Sequence, residues 1–286
     1  MQAVRLHDGR VHLQDGPIDL ILKAEGPDRA AAETAAIAAF DGLLTELVGE
    51  LPILRRPIVD PPPAVSGPVA RRMVAAVAPW PDRFVTPMAA VAGAVADHIL
   101  ACMLEAAPDL SRAWVNDGGD IAFHLAPEQS FDVGLVADLQ APALAGTATL
   151  RHTDPVRGVA TSGRGGRSFS FGIADAVTVL ARDAASADVA ATLIGNAVDL
   201  PGHPAIRRGP ASAEDPDSDL GDRPVVLDVG ALAPGEIDAA LDAGLLAYET
   251  ITKSMPVNAV VLFLAGRWRI AGETVPAARV RWSDGT

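Results

Sequence analysis

Cysteine, aromatic residues and lysine are all scarce in this chain of 286 residues. A single cysteine, Cys102, excludes an intrachain disulfide and any zinc or iron–sulfur site built from several cysteines. Lysine occurs only at positions 23 and 253, so arginine carries nearly all of the positive charge. Because aromatic residues make up 4% of the chain, the hydrophobic core has to be built mostly of Ala, Val, Leu and Ile.

The balance of charge and hydropathy excludes two broad classes of protein. The formal net charge is −13, and a chain this acidic repels phosphate backbones, so we expect no nucleic-acid partner. Hydrophobic residues make up 49% of the chain, which excludes bulk disorder and allows a sizeable core. The composition therefore predicts a folded, globular protein.

The most apolar stretch of the chain, residues 88–107, is interrupted by Asp97 and His98 in its middle. A membrane span requires about 20 residues with few or no charges, so this stretch predicts a buried helix instead. The first ten residues include Asp8 and form no apolar targeting segment. We therefore expect a cytoplasmic protein without a membrane partner.

Strand and helix patterns alternate along the chain, and some of the strands form hairpins. Apolar positions at helical spacing predict helices over residues 28–51, 87–108 and 186–198. Together with the strand patterns they indicate an α+β fold, with helices packed on a mixed β-sheet. We predict a single domain over residues 1–286, with a polar loop at about 203–224 that is rich in Pro, Asp and Ser.

Several common catalytic motifs are absent from the sequence. There is no G-x-x-x-x-G-K-[ST] motif, which excludes a P-loop, and no G-x-S-x-G motif, so a nucleophile elbow is unsupported. The six histidines include no H-x-x-x-H or H-E-x-x-H pair, which argues against a zinc site. The motifs therefore identify no catalytic residue, and a candidate site has to come from weaker signals.

The first of three such signals is the segment Asn116-Asp117-Gly118-Gly119-Asp120, between two predicted strands. Paired glycines allow positive φ angles and let a ligand approach the main chain closely. Such a turn exposes N–H groups that can face an anion. The segment is equally typical of an ordinary Asx-Gly hairpin turn, so its composition leaves both interpretations open.

The second signal is the glycine-rich run at residues 161–168. It carries hydroxyls on Thr161 and Ser162 and guanidinium groups on Arg164 and Arg167. Arginine supplies fork-shaped donors and glycine lets the main chain come close, so the run suits a diphosphate. A solvated, flexible turn is the alternative interpretation.

The third signal lies on the helix predicted over residues 186–198. Asp188 and Thr192 are four residues apart, so they share one helix face. A carboxylate and a hydroxyl form a sparse oxygen set, which Mg²⁺ accepts when waters and substrate phosphates complete its coordination. The alternative is an Asp that favours the helix dipole near the N-terminus, beside an ordinary Thr.

Five segments of the sequence carry a further signal when they are taken together and in order: residues 87–97, 116–120, 160–163, 176–179 and 187–192. These segments resemble the ApbE-like family, the FAD:protein FMN transferases. The similarity is greatest to an uncharacterised cytoplasmic branch of that family.

The resemblance implies a site for FAD or FMN and for Mg²⁺. Asp188 and Thr192 match the family's magnesium ligands, and the two glycine-rich turns match segments that line the flavin nucleotide. The candidate cofactor-binding residues are Asn116, Gly118, Gly119, Asp120, Thr161, Ser162, Gly163, Arg164 and Arg167. The implied reaction transfers FMN from FAD to a hydroxyl of an acceptor protein, with AMP leaving.

The sequence also departs from the transferases at two places. Ala92-Gly93-Ala94 stands where they have a Lys-Gly pair, and residues 169–175 lack their His-x-x-Asp-Pro stretch. Two alternatives to a transferase therefore stay open: a non-catalytic flavin- or nucleotide-binding accessory protein of a redox or sulfur pathway, and an enzyme that acts on another small substrate in the same cleft. An acceptor protein and a second copy of the chain in a homodimer stay open as further partners.

Overall fold

The computed structural model describes residues 1–139, 144–272 and 280–282. The chain divides into two compact units, and each is described by itself. The first unit comprises Met1–Phe131, Leu150–Ala160 and Ala181–Val189, and the second comprises Asp132–Thr149, Thr161–Leu180 and Ala190–Thr286. The single domain expected over residues 1–286 stays a prediction.

The first unit contains an antiparallel sheet in the order β1-β2-β3-β4-β5-β8. Its central strand β3 alternates buried and half-buried residues along its whole length, which is the period of a strand with one face on the core. The strands are β1 (Gln2–Arg5), β2 (Val11–Asp15), β3 (Ile18–Glu25), β4 (Arg112–Asp117), β5 (Asp120–Leu125) and β8 (Gly158–Ser162).

Four helices belong to the first unit: α1 (Arg29–Phe40), α2 (Leu43–Leu54), α3 (Pro68–Val77) and α4 (Val91–Ala106). The sequence predicts one helix over residues 28–51, and this prediction is wrong because the helix is interrupted at Asp41-Gly42. Gly42 has φ +80°, a left-handed conformation that ends α1 and lets α2 start in a new direction.

Helix α4 forms the centre of the first unit. It packs against α1, α3, β4 and β5, and its buried residues include Val95, Ile99 and Met103. With the preceding 3₁₀ turn it forms a run of 20 residues, Pro87–Ala106, that is long and apolar enough to cross a membrane. Half of its most apolar window is buried within the protein, as in the core helix of a globular fold.

The second unit contains several sets of paired strands and a long helix. Strand β14 pairs with β7, which pairs with β6, and β9, β12 and β13 are neighbours in that order. Helix α7 packs on β12 and β13. The bounds are β6 (Ser130–Val136), β7 (Leu144–Arg151), β9 (Ala176–Ala181), α7 (Pro234–Ile251), β12 (Val257–Leu264), β13 (Arg267–Gly272) and β14 (Val280–Trp282).

Secondary structure occupies part of the segment at 203–224 that the sequence predicts as a loop. Strand β10 (Ile206–Pro210) pairs antiparallel with β11 (Pro224–Val229), and the short helix α6 (Ala211–Glu214) follows β10. The loop prediction is wrong over these residues because main-chain pairing requires no apolar side chains. The predicted α+β class is confirmed over the described residues.

Helix α5 (Ala184–Ala197) begins in the first unit and ends in the second. Its start lies directly against two glycines. A Cβ atom at Gly93 of α4 would overlap the carbonyl group of Ala184, and one at Gly158 of β8 would overlap the carbonyl group of Asp183. The beginning of α5 is therefore fixed by main-chain contacts that no larger residue allows.

We expect Gly93→Ala to destabilise the protein by about 1–3 kcal/mol, because the added methyl group overpacks the α4–α5 contact. Urea denaturation measures the free energy of unfolding. The matched control is Gly49→Ala in α2, where a Cβ atom meets no other group and where alanine favours the helix by about 0.5–1 kcal/mol. Equal effects of the two substitutions would contradict the close contact.

Candidate functional site

The segment 116–120 forms a two-residue hairpin turn between β4 and β5. Asp117 pairs with Asp120 in the strand register, and Gly118 and Gly119 both have positive φ angles, +62° and +116°. Two consecutive positive φ angles are those of a type I′ turn, which matches the twist of the flanking strands. The Gly119 N–H donates to Oδ1 of Asn116 at 2.8 Å. The amide of Asn116 thus holds the turn in place, as in the hairpin interpretation.

Asp188, on the first turns of α5, faces this hairpin. Its Oδ2 accepts a hydrogen bond from the Gly93 N–H at 3.1 Å. The carboxyl group lies deep among protein atoms, yet the residue keeps some contact with solvent. Burial raises the pKa of Asp188 well above its usual range, and the nearby negative charges of Asp120, Asp117 and Asp97 raise it further.

Asp97 of α4 caps the N-terminus of α5 from a neighbouring helix. Its two carboxylate oxygens accept the N–H groups of Ala184 at 3.0 Å and Ala185 at 2.9 Å. Asp183 accepts the Ser186 N–H at 2.8 Å in the usual way of a residue just before a helix. Burial raises the pKa of Asp97 to about 6, against the effect of the two main-chain donors.

The carboxylates of the first unit provide the chemistry that Mg²⁺ requires. Among the described residues there is no group of three or more His, Cys, Asp or Glu side chains arranged to hold a metal ion. Mg²⁺ is commonly held by one or two carboxylates together with waters and substrate phosphates, so Asp188 with the nearby Asp120 fits this ion. These side chains supply only part of the coordination of the ion, so a bound ligand and waters would have to supply the rest.

In the second unit, the end of β8 and the loop that follows it lie against two neighbouring segments. The Thr161 and Thr178 hydroxyls lie 2.9 Å apart. A Cβ atom at Gly163 would overlap the carbonyl group of Asp175, so only glycine fits there. A Cβ atom at Gly195 of α5 would lie 3.9 Å from Oγ of Ser162. The predicted Ser-Gly turn therefore lies beside the second half of α5.

Arg164 forms an ion pair with Asp175, with Nη2 and Oδ1 2.8 Å apart. The other oxygen of Asp175 accepts the Ala265 N–H at 2.6 Å, and the Arg164 N–H donates to the Ala174 carbonyl at 2.9 Å. Arg164 thus brings little net positive charge, and it anchors the start of the loop. Arg167 is exposed.

Thr192 lies one helical turn after Asp188 on α5, so the predicted spacing of the two residues on one helix is confirmed. Thr192 is partly exposed. One further turn along α5, Oδ1 of Asn196 accepts the Phe171 N–H at 2.9 Å. This hydrogen bond fixes the segment after the glycine-rich loop to the helix.

The predicted site residues thus fall into two groups. The first unit brings together the hairpin at residues 116–120 and Asp188, and the second unit brings together residues 161–164 and the second half of α5. That all of them bind one cofactor stays a prediction. The sequence did not indicate Asp97 or Asp175 as site residues, although a charge within an apolar helix is a signal for Asp97.

Comparison with known proteins places the chain in a family. The family model described as AbpE bacteria matches residues 3–270. The chain belongs to this family. The resemblance to the ApbE-like family, which five segments of the sequence indicated, is therefore confirmed.

The relatives among curated proteins are UPF0280 proteins of archaea, so the similarity to the uncharacterised branch is confirmed as well. One from Methanothrix thermoacetophila is 39% identical over 163 residues, which cover 56% of this chain and 61% of the relative. One from Methanopyrus kandleri is 33% identical over 213 residues, which cover 73% of this chain and 83% of the relative. In the first three relatives the matched region spans 45% to 61% of their length.

Among solved structures, the flavin transferase ApbE of Vibrio cholerae is 13% identical with a TM-score of 0.48. The match covers 96% of this chain and 98% of that chain. At this TM-score the likeness adds nothing to the assignment, which depends on the family match.

Asp97 should make stability depend on pH. Because its folded pKa of about 6 lies above the ordinary value of 3.8, its protonation stabilises the fold fully below about pH 4, and this contribution is lost as the pH rises through 6. We expect the stability advantage of the wild type over Asp97→Asn to fall by about 1 kcal/mol between about pH 5.5 and pH 8. Urea denaturation at the two pH values measures it.

Replacement of the exposed Asp109 by asparagine controls for the loss of one negative charge. In Asp97→Asn the new amide keeps one acceptor for the two α5 N–H groups, so this variant should also be less stable than the wild type at the lower pH. A stability difference that is equal at both pH values would refute the raised pKa.

Proposed function

We propose that this protein binds a flavin nucleotide, FAD or FMN, with Mg²⁺ held at Asp188. Membership of the AbpE family supports the flavin, and the surroundings of Asp188 support the ion. The observation that carries the proposal is a deeply set carboxylate with a raised pKa, close to Asp120 and Asp117 and still in contact with solvent.

The electrostatics of this group favour a divalent cation. Negative charges that approach one another in a poorly solvated place repel, so each additional ionised carboxylate is unfavourable without a cation. Proton uptake relieves part of this repulsion, and a divalent ion would relieve more. Asp188 would hold the ion, with the nearby Asp120 and with Thr192 one helical turn further along α5 as the other candidate ligands. Mg²⁺ supplies charge neutralisation at a bound diphosphate.

Within the glycine-rich loop, Arg164 brings little net positive charge to a diphosphate. The chain is acidic overall, and Arg164 is neutralised by Asp175. Main-chain N–H groups of this loop would supply hydrogen bonds to the phosphates, but they carry no full charge. We therefore expect nucleotide binding to depend strongly on the cation.

For the reaction itself, the family relationship supports transfer of FMN from FAD to an acceptor protein. A hydroxyl oxygen of the acceptor would form a bond to the FMN phosphorus, the bond to the AMP phosphate would break, and the hydroxyl proton would leave. Positioning and charge neutralisation account for most of such a step. Binding without transfer is the second candidate, and it is favoured by Ala92-Gly93-Ala94 at the place of the implied Lys-Gly pair.

We expect the protein to act in the cytoplasm, with an acceptor protein as its partner if it is a transferase. A homodimer is the oligomer that we would test first, by light scattering of the purified chain.

Replacement of Asp188 tests the proposal. Calorimetry with FAD in the presence and absence of Mg²⁺ gives both affinities, and AMP release over time reports transfer. We expect Asp188→Asn to weaken Mg²⁺-dependent FAD binding by about tenfold or more, which corresponds to about 1.4 kcal/mol. Binding measured in EDTA should change little, because the carboxylate acts through the ion.

The control is Asp109→Asn, which removes an exposed carboxylate from the same unit. It should leave FAD binding and any AMP release at the wild-type level. If Mg²⁺ does not change the affinity of the wild type for FAD, the role of Asp188 is wrong. If the wild type binds neither FAD nor FMN, the proposed function is wrong.

A further inference from the structure

Phe169 is an exposed aromatic side chain in a chain with few aromatics. Its exposed fraction is 37%, and no other aromatic residue among positions 1–139 and 144–272 is exposed. Phe123 and Phe131, by comparison, pack edge to face on each other with their centroids 5.9 Å apart. An exposed aromatic ring offers a planar apolar face on which a planar ligand can pack.

The main chain on the C-terminal side of Phe169 is firmly held. Asn196 Oδ1 accepts the Phe171 N–H at 2.9 Å, and the Ser170 carbonyl accepts the Val226 N–H at 2.9 Å. The Arg208 guanidinium donates to the Phe171 carbonyl. A Cβ atom at Gly172 would overlap the carbonyl of Gly195, so this segment lies directly on α5.

The main chain on the N-terminal side is held as well. Arg164 is fixed by its ion pair with Asp175 and by its main-chain hydrogen bond to Ala174, and the Gly166 N–H donates to the Gly163 carbonyl at 3.0 Å. Phe169 thus lies at the exposed part of a loop that is anchored at both ends. The anchored loop limits the entropy that the ring would lose on binding a ligand.

We propose that Phe169 stacks on the planar isoalloxazine ring of the bound flavin. This inference rests on the proposed function and names the residue that recognises the ring. Phe169 follows the Ser162–Arg167 turn, so a nucleotide whose phosphates lie on that turn has a planar group within reach of the ring. Stacking requires only a π-face on the ligand, so it needs no polar partner at this position.

The test uses the full-length wild type, Phe169→Ala and Phe169→Trp, with riboflavin, FMN, FAD and ADP as probes in the presence of Mg²⁺. Calorimetry gives the dissociation constants. We expect Phe169→Ala to weaken the binding of riboflavin, FMN and FAD by about tenfold and to leave ADP unchanged. Phe169→Trp should retain the affinity for the three flavins and quench their fluorescence more strongly than the wild type does.

The control is Leu246→Ala, which removes an exposed apolar side chain from α7 in the same unit. It should change none of the four affinities, and thermal unfolding should show that all variants are folded. Wild-type affinity of Phe169→Ala for all three flavins would overturn the inference while the proposed function stands. A loss confined to ADP and FAD would assign the ring to adenine and also overturn it. A wild type that binds no flavin would overturn both proposals.

Discussion

The contact between α4 and the first turn of α5 is the constraint on which the candidate site depends. The missing side chain of Gly93 lets the two main chains touch, and the Gly93 N–H then reaches the Asp188 carboxylate. One turn further along α4, Asp97 accepts the first free N–H groups of α5. Two residues four positions apart on α4 thus set both the position and the orientation of α5.

This arrangement places several carboxylates close together, where their negative charges repel one another. Asp188 lies near Asp120, Asp117 and Asp97, and the pKa values of Asp188 and Asp97 are raised. A protein selected for stability alone would gain from neutral side chains here, since like charges in a poorly solvated place are unfavourable. Perturbed carboxyl groups of this kind are concentrated at functional sites, which is why the proposal begins at Asp188.

The second unit differs in its chemistry. One positive charge of its glycine-rich loop is used within the protein, because Arg164 pairs with Asp175. The loop also presents an aromatic ring outward, Phe169, between two anchored segments. Composition alone suggested a basic phosphate-binding turn with two arginines, whereas in the folded loop the charge of Arg164 is already paired with a carboxylate.

Local pattern in the sequence determined much of this protein: the α+β class, the helices predicted over residues 87–108 and 186–198, the Gly118-Gly119 hairpin and the one-turn spacing of Asp188 and Thr192. These follow from the period of apolar residues and from turn chemistry, which act between near neighbours. The five short segments, in their order along the chain, also indicated the family, and the family match confirms it. The break at Asp41-Gly42 and the strand β10 were missed, because neither changes the apolar pattern strongly.

Only the tertiary structure determined which charged side chains lie close to one another and which main-chain groups they contact. Asp97 and Ala184 are 87 residues apart in the chain, and Gly93 and Asp188 are 95 apart. No local pattern relates such positions, since a hydrogen bond or a pKa shift depends on distances that folding alone creates. The same holds for Arg164, whose charge looks available in the sequence and is neutralised by Asp175 once the loop is folded.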